Sequence, residues 1–381
     1  LVIAGGTLNI ASGSTMTVAG LITVGSGAAL NIDADLRIGG GSLLNAGTIN
    51  SVTPSASLTL PAGGTLGGTG STTLPSLSLS GASQTTLLAG PIQVIGSLAN
   101  ASGHTLDVNA GGNYDLTISS NWTNSGTYLA RAGRTMFGGS DNGFTFATGG
   151  SPFYKLEIDG PGGWTAISNP VTVSSTVLIS GGALILGAAS SMTVTGTLDI
   201  QSGGSLTLQN NLAINGGSLT NAGTVNAVNT SSLTLSGAGT LGGSGQTTLP
   251  HVILNGSGQT TTLGGDMTAL GQMTINAGHT LDAGSTYQIT VSSNWVNNGT
   301  FRERTGTVEF TSTATLTGQT TFYNFAALTP GFTLTFPVGS TQTVTGAITF
   351  AGTTTNLIKL RSSTSGSRWY LKSTGSASIY A

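Results

Sequence analysis

The sequence predicts an all-β protein built as a parallel β-helix (β-solenoid), and three observations lead there. A long phrase returns almost letter for letter: Gly40-Gly41-Ser42-Leu43-Leu44-Asn45-Ala46-Gly47-Thr48-Ile49-Asn50 recurs as Gly216-Gly217-Ser218-Leu219-Thr220-Asn221-Ala222-Gly223-Thr224-Val225-Asn226, 176 positions on. Short alternations of apolar and polar residues fill both copies, with glycine at the corners between them. Comparable strands come back after 20 to 22 residues, from Met16 to Leu36 and from Leu8 to Leu30. A repeat of that size cannot bury its apolar face alone and must stack on its neighbours. The expectation is about 17 or 18 coils of about 20–22 residues, rising ~4.8 Å each, in a single elongated rod about 80 to 90 Å long.

The first module, residues 1–176, opens with Thr7-Leu8-Asn9-Ile10 and Thr15-Met16-Thr17-Val18, then Ala29-Leu30-Asn31-Ile32 and Asp35-Leu36-Arg37-Ile38. Alternation of this kind gives a strand with one buried face. Gly5-Gly6, Gly25, Gly27 and Gly39 to Gly41 fall between these runs, where glycine turns the chain without a Cβ clash. The second module, 177–351, repeats the first with a shrinking offset. Val177-Leu178-Ile179-Ser180-Gly181-Gly182 answers Leu1-Val2-Ile3-Ala4-Gly5-Gly6 at 176, Gly278-His279-Thr280-Leu281-Asp282 answers Gly103-His104-Thr105-Leu106-Asp107 at 175, and Ser292-Ser293-Asn294-Trp295 answers Ser119-Ser120-Asn121-Trp122 at 173. Deletions collected at corners explain the drift, since a corner shortens without moving the stacked strands. Residues 352–381 match neither module and form a basic tail that continues the solenoid.

Composition narrows the class of function. Charged residues make up 6% and hydrophobic residues 38% of the chain, with a formal net charge of −2. That balance folds, and it offers no field for nucleic acid or an anionic membrane surface. No apolar run reaches the ~20 residues that span a bilayer, so membrane insertion is not expected. With no cysteine there is neither a disulfide framework nor a thiolate metal site. Low charge with abundant Thr, Ser, Asn and Gly reads as an exported, extracellular protein, and the start at Leu1 as a mature or excised segment.

Chemistry-bearing residues are few. His104 with Asp107, and His279 with Asp282, have the spacing of a base and its orienting carboxylate, but a catalytic pair is needed once and this one is duplicated. A polar corner that caps turn amides is the expected role. The carboxylate pairs Asp33 with Asp35, Glu157 with Asp159 and Glu303 with Glu309 are too scattered to line a cleavage groove. No calcium-binding nonapeptide occurs, and the expectation is no catalytic residue, no metal and no cofactor. Asn-X-Ser/Thr sequons at Asn100, Asn121, Asn229, Asn255 and Asn298 are expected by chance in so Asn- and Thr-rich a chain. Trp122, Tyr128, Phe153 and Tyr154, with their counterparts Trp295, Phe301, Phe322 and Tyr323, are expected inside the coils. Trp164 and Trp369 lack duplicates and are the candidates for a surface or glycan contact. Charge is polarised along the chain: residues 1–130 hold Asp33, Asp35, Asp107 and Asp115 against Arg37, whereas Lys359, Arg361, Arg368 and Lys372 follow Glu309 with no further acid. Asp33 and Asp35 at one end, with those four cations at the other, are the candidates for an end-to-end contact between copies.

The Asn45-Ala46-Gly47-Thr48-Ile49-Asn50 phrase and its twin at 221–226 resemble coil repeats of filamentous-haemagglutinin-like and autotransporter-like bacterial adhesins. Asn294-Trp295-Val296-Asn297-Asn298-Gly299-Thr300-Phe301, Gly306-Thr307-Val308-Glu309-Phe310 and Thr320-Thr321-Phe322-Tyr323-Asn324-Phe325 resemble repeats of very large secreted bacterial surface proteins. The resemblance implies a right-handed parallel β-helix used as a stalk, adhesin or fibre. From these readings the expected function is a noncatalytic extracellular structural protein, a β-solenoid subunit of a cell-surface filament that assembles with itself head to tail. The alternatives are an adhesin shaft and a carbohydrate-binding β-helix whose partners are surface glycans or other cells, with a polysaccharide-cleaving enzyme last.

Overall fold

The computed structural model describes residues 1–168, 170–228 and 230–380; Asn169, Asn229 and Ala381 lie outside them. It is all-β: among the described residues there is no helix, and short parallel strands stack as a β-solenoid of about 16 turns. Two compact units divide the chain, Leu1–Met192 and Thr193–Ala381.

In the first unit the coils feed three parallel ladders, most with three strands each; past Thr127–Leu129 one circuit is joined on the first side only by the isolated Phe153–Val173 bridge. One ladder starts with Val2–Ile3, Ile22–Val24 and Leu43–Asn45, with Val2 beside Thr23 and Thr23 beside Leu44. A second starts with Thr7–Ile10, Ala29–Ile32 and Thr48–Asn50. The third starts with Thr15–Val18, Asp35–Ile38 and Ser57–Leu60, and has two ends, since Thr15–Val18 pairs only with Asp35–Ile38. Parallel pairing follows from the coil path, which returns to each ladder only after a full circuit. The second unit is built the same way, as in the run Ser232–Leu235, His251–Leu254, Met273–Ile275 and Trp295–Asn297.

Alternation decides what lies inside. Ala29–Ile32 and Ser57–Leu60 bury every second side chain, and Leu30, Ile32, Leu58 and Leu60 are shielded from solvent. Because stacking is in register, Leu30 sits between Leu8 and Ile49, so the core is a set of apolar columns. Each fully buried Leu or Ile contributes roughly 1.5–3 kcal/mol through burial. The duplicated glycine at the Asn-Ala-Gly corner is required by close approach. A Cβ on Gly47 would run into the carbonyl oxygens of Ala28 and Gly25, and one on Gly223 into those of Gly204 and Gln201. The asparagine two residues earlier holds the same corner: Asn45 Oδ1 accepts from Gly47 N at 2.9 Å, and its Nδ2 donates to Ser71 O at 2.7 Å. Asn221 repeats both bonds, to Gly223 N at 3.0 Å and Gln246 O at 2.9 Å.

The expected 17 or 18 coils are corrected to about 16. The last circuit is longer than the rest: Thr333 pairs with Lys359, Thr341 with Tyr370 and Ile348 with Ala377, steps of 26 to 29 residues. Its strands Lys359–Ser362, Tyr370–Ser373 and Ala377–Tyr380 extend the ladders in parallel.

Candidate functional site

The duplicated Gly-His-Thr-Leu-Asp segment puts its histidine at the mouth of a corner and its aspartate at the end of a strand, Thr105–Asp107 in one copy and Thr280–Asp282 in the other. His104 is fully buried. Its Nδ1 lies 3.0 Å from Gly81 O, which can only accept, so Nδ1 carries the proton and Thr86 Oγ1 donates to Nε2 at 3.0 Å. Desolvation holds the imidazole below its ordinary pKa, opposed by the bond to Gly81. His279 repeats the arrangement, with Nδ1 at 2.9 Å from Asn255 O and Nε2 at 3.0 Å from Thr261 Oγ1. Neither histidine bonds its aspartate, so the base–carboxylate pair that the spacing allowed is not assembled.

Asp107 instead accepts from Asn109 N at 2.8 Å and from the Arg131 guanidinium, Nε at 2.9 Å and Nη2 at 2.6 Å. Asp282 accepts from Gly284 N at 2.9 Å, from Arg304 Nε at 2.8 Å and from Arg304 Nη2. The bond from Arg131 pulls the Asp107 carboxyl below the usual range against the cost of burial, and Arg304 does the same for Asp282. Both arginines hold left-handed backbone, with φ of 49° and 52°, which places a bidentate fork over a carboxylate one coil away. Sequence reasoning missed this pair. Its signal was present: Arg131-Ala132-Gly133 and Arg304-Thr305-Gly306 recur at the offset of the duplicated tryptophans.

The duplicated aromatic residues fill the coil interiors. Trp122 meets Tyr128 edge-on at 4.8 Å and Phe153 at 5.4 Å, and Trp295 meets Phe301 at 5.2 Å. All five are buried, as is Phe322, while Tyr154 and Tyr323 are half-buried. Burial pushes the Tyr128 phenol far up, and its Oη lies 2.8 Å from Thr135 Oγ1. Trp164 is corrected: expected at the surface, it is 0% exposed and lies against Phe144 at 5.4 Å and Phe137 at 5.9 Å. It belongs to the same interior pile, one ring further along the stack. Trp369 is half-buried, stacked on Phe336 at 3.9 Å between centroids.

Asp33 and Asp35, the acids assigned to an end contact, lie in the second coil, and one carboxylate oxygen of each is turned along the wall toward the third. Asp33 Oδ1 accepts from Val52 N at 3.0 Å, and Asp35 Oδ1 from Ser57 N and Ser57 Oγ, both at 2.9 Å. Lys359, Arg361, Arg368 and Lys372 are exposed and share the last circuit. Three of the other candidate carboxylates are engaged between coils: Glu157 takes Arg134 Nη1 at 2.7 Å, Asp159 takes Ser180 Oγ at 3.1 Å and Glu309 takes Gln288 Nε2 at 2.6 Å. Among the described residues no group of three or more His, Cys, Asp or Glu side chains is placed to hold a metal ion. No helix is long and apolar enough to cross a membrane. No protein-family model, curated protein or solved structure matches the chain.

Proposed function

We propose that the chain is a noncatalytic extracellular structural protein: a β-solenoid subunit of a cell-surface fibre, of the filamentous-haemagglutinin-like and autotransporter-like kind its repeats resemble. One observation carries the reading. In both units the duplicated histidine and aspartate that could have formed a reactive centre are spent on joining one coil to the next, His104 and Asp107 in one and His279 and Asp282 in the other. The outward wall keeps hydroxyl and amide groups, which suits a surface exposed to variable salt and pH.

The parallel ladders support head-to-tail assembly: the two edges of a parallel coil differ, so a copy that continues the ladders joins unlike faces, and stacking along the ladder direction propagates. Electron microscopy of the purified chain over a range of concentrations tests this. Filaments one copy wide with a regular axial repeat are expected as concentration rises. Isolated particles under all conditions would overturn the fibre and leave a stalk for a recognition element elsewhere.

A further inference from the structure

A polar groove of about 720 Å³ crosses three successive coils of the second unit, a size within the ~300–1,000 Å³ typical of small-molecule sites. Its floor is backbone: Gly243, Gly264 and Gly265 carry no side chain, and a Cβ on Gly265 would strike Gly243 O. One wall is a ladder of half-buried threonines in register, Thr248 beside Thr268 beside Thr290. The other carries half-buried Tyr287 and Gln288 with exposed Asp266. Gln288 is held from both sides, its Nε2 donating to Glu309 Oε2 at 2.6 Å and Thr290 Oγ1 at 3.3 Å, while its backbone N donates to Asp266 Oδ1 at 2.8 Å.

The first unit treats the equivalent positions differently. There Pro91 stands for Asp266, Asp115 for Gln288 and Arg134 for Thr307. Arg134 reaches Asp115 at 2.9 Å and Glu157 at 2.7 Å, so its guanidinium lies across the wall. In the second unit Gln288 and Thr307 replace that ion pair with uncharged hydrogen-bonding groups, while Asp266 brings a carboxylate where the first unit has Pro91.

We propose that this groove binds a short neutral oligosaccharide, one sugar face on Tyr287 and the hydroxyls on the threonine ladder, Gln288 and Asp266. Hydroxyl and amide groups both donate and accept, as sugar hydroxyls do, and the aromatic ring offers an apolar face to the C–H side of a pyranose. No lysine, arginine or histidine lines the groove, and Asp266 repels anions, which argues against phosphate, uronate and nucleic acid. The polar floor and walls suit neither a lipid nor an apolar helix.

The full chain is to be titrated by calorimetry with neutral gluco-, manno-, xylo- and N-acetylglucosamine oligosaccharides, and with oligogalacturonate as the anionic probe. At least one neutral series is expected to bind and oligogalacturonate is not. The double variant Gln288→Asp with Thr307→Arg installs the first unit's pair, and together with Tyr287→Ala it is expected to weaken binding by about tenfold or more, equivalent to ~1.4 kcal/mol. Gln93→Ala, at the first unit's equivalent of Thr268, is expected to leave it unchanged, and thermal melts confirm that each variant is folded. Absence of binding across the neutral series, wild-type affinity in the double variant or in Tyr287→Ala, or a preference for oligogalacturonate would each overturn the proposal.

Discussion

Asp107 and Asp282 each take a bidentate arginine and one backbone amide, and this sets how the fold responds to acid. Both carboxyls titrate lower in the folded chain than their ordinary value. The stabilisation is therefore complete above the unfolded pKa of roughly 3.9 and is lost as pH falls through the lower folded value. Melting temperature is expected to drop on acidification below about pH 4. The double variant Asp107→Asn with Asp282→Asn should be less stable at neutral pH and flatter below it, and an unchanged acid slope would contradict the assignment. The two core tryptophans differ in a testable way. Trp295 Nε1 donates to Thr320 Oγ1 at 3.1 Å, whereas Trp122 Nε1 is buried without a partner. Trp295→Phe should cost about 1–2 kcal/mol more than Trp122→Phe in urea unfolding, since only the former breaks a hydrogen bond. Replacement of either by alanine should cost about 3–5 kcal/mol.

At the level of the coil, corners are where tolerance ends. Gly47→Ala and Gly223→Ala force a methyl group against carbonyl oxygens of the preceding coil and should each destabilise by about 1–3 kcal/mol. Gly5→Ala meets nothing within 4 Å and should be neutral or slightly stabilising in the same thermal melt. Equal effects at Gly47 and Gly5 would show that close coil approach is not what the glycine serves. The strands themselves were legible, because a buried face at period two is written directly in runs such as Ala29–Ile32. What was not legible depends on the next coil. The direction of Asp33 toward Val52 and the burial of Trp164 against Phe137 are set by inter-coil register, which local alternation does not encode. Lack of a duplicate was a poor guide for Trp164: an aromatic pile can gain a ring in one unit without exposing it. The Asp107–Arg131 pair was hidden for the same reason, since its members stand 24 residues apart. The groove at Thr248, Thr268 and Thr290 could have been found only by aligning the modules and asking where polar character changed.

For the chain as a whole, the formal charge of −2 on 381 residues leaves little long-range electrostatics to organise assembly. Asp33 and Asp35 each commit one carboxylate oxygen to bonds within the wall. If stacking of copies rests on strand pairing and apolar contact, the filaments sought by microscopy should persist up to about 1 M salt, where the Debye length shrinks to ~3 Å. Dissolution at moderate salt would restore an ionic contact to consideration. Duplication has a further consequence. The His104–Thr86 and His279–Thr261 corners place the same bonds in two compact units of one chain. Temperature, solvent and concentration act on both at once, so a difference between them reports the side chains that differ. The molecule thus carries its own reference sample, and a ligand, an ion or a substitution that touches one copy can be read against the other in a single tube.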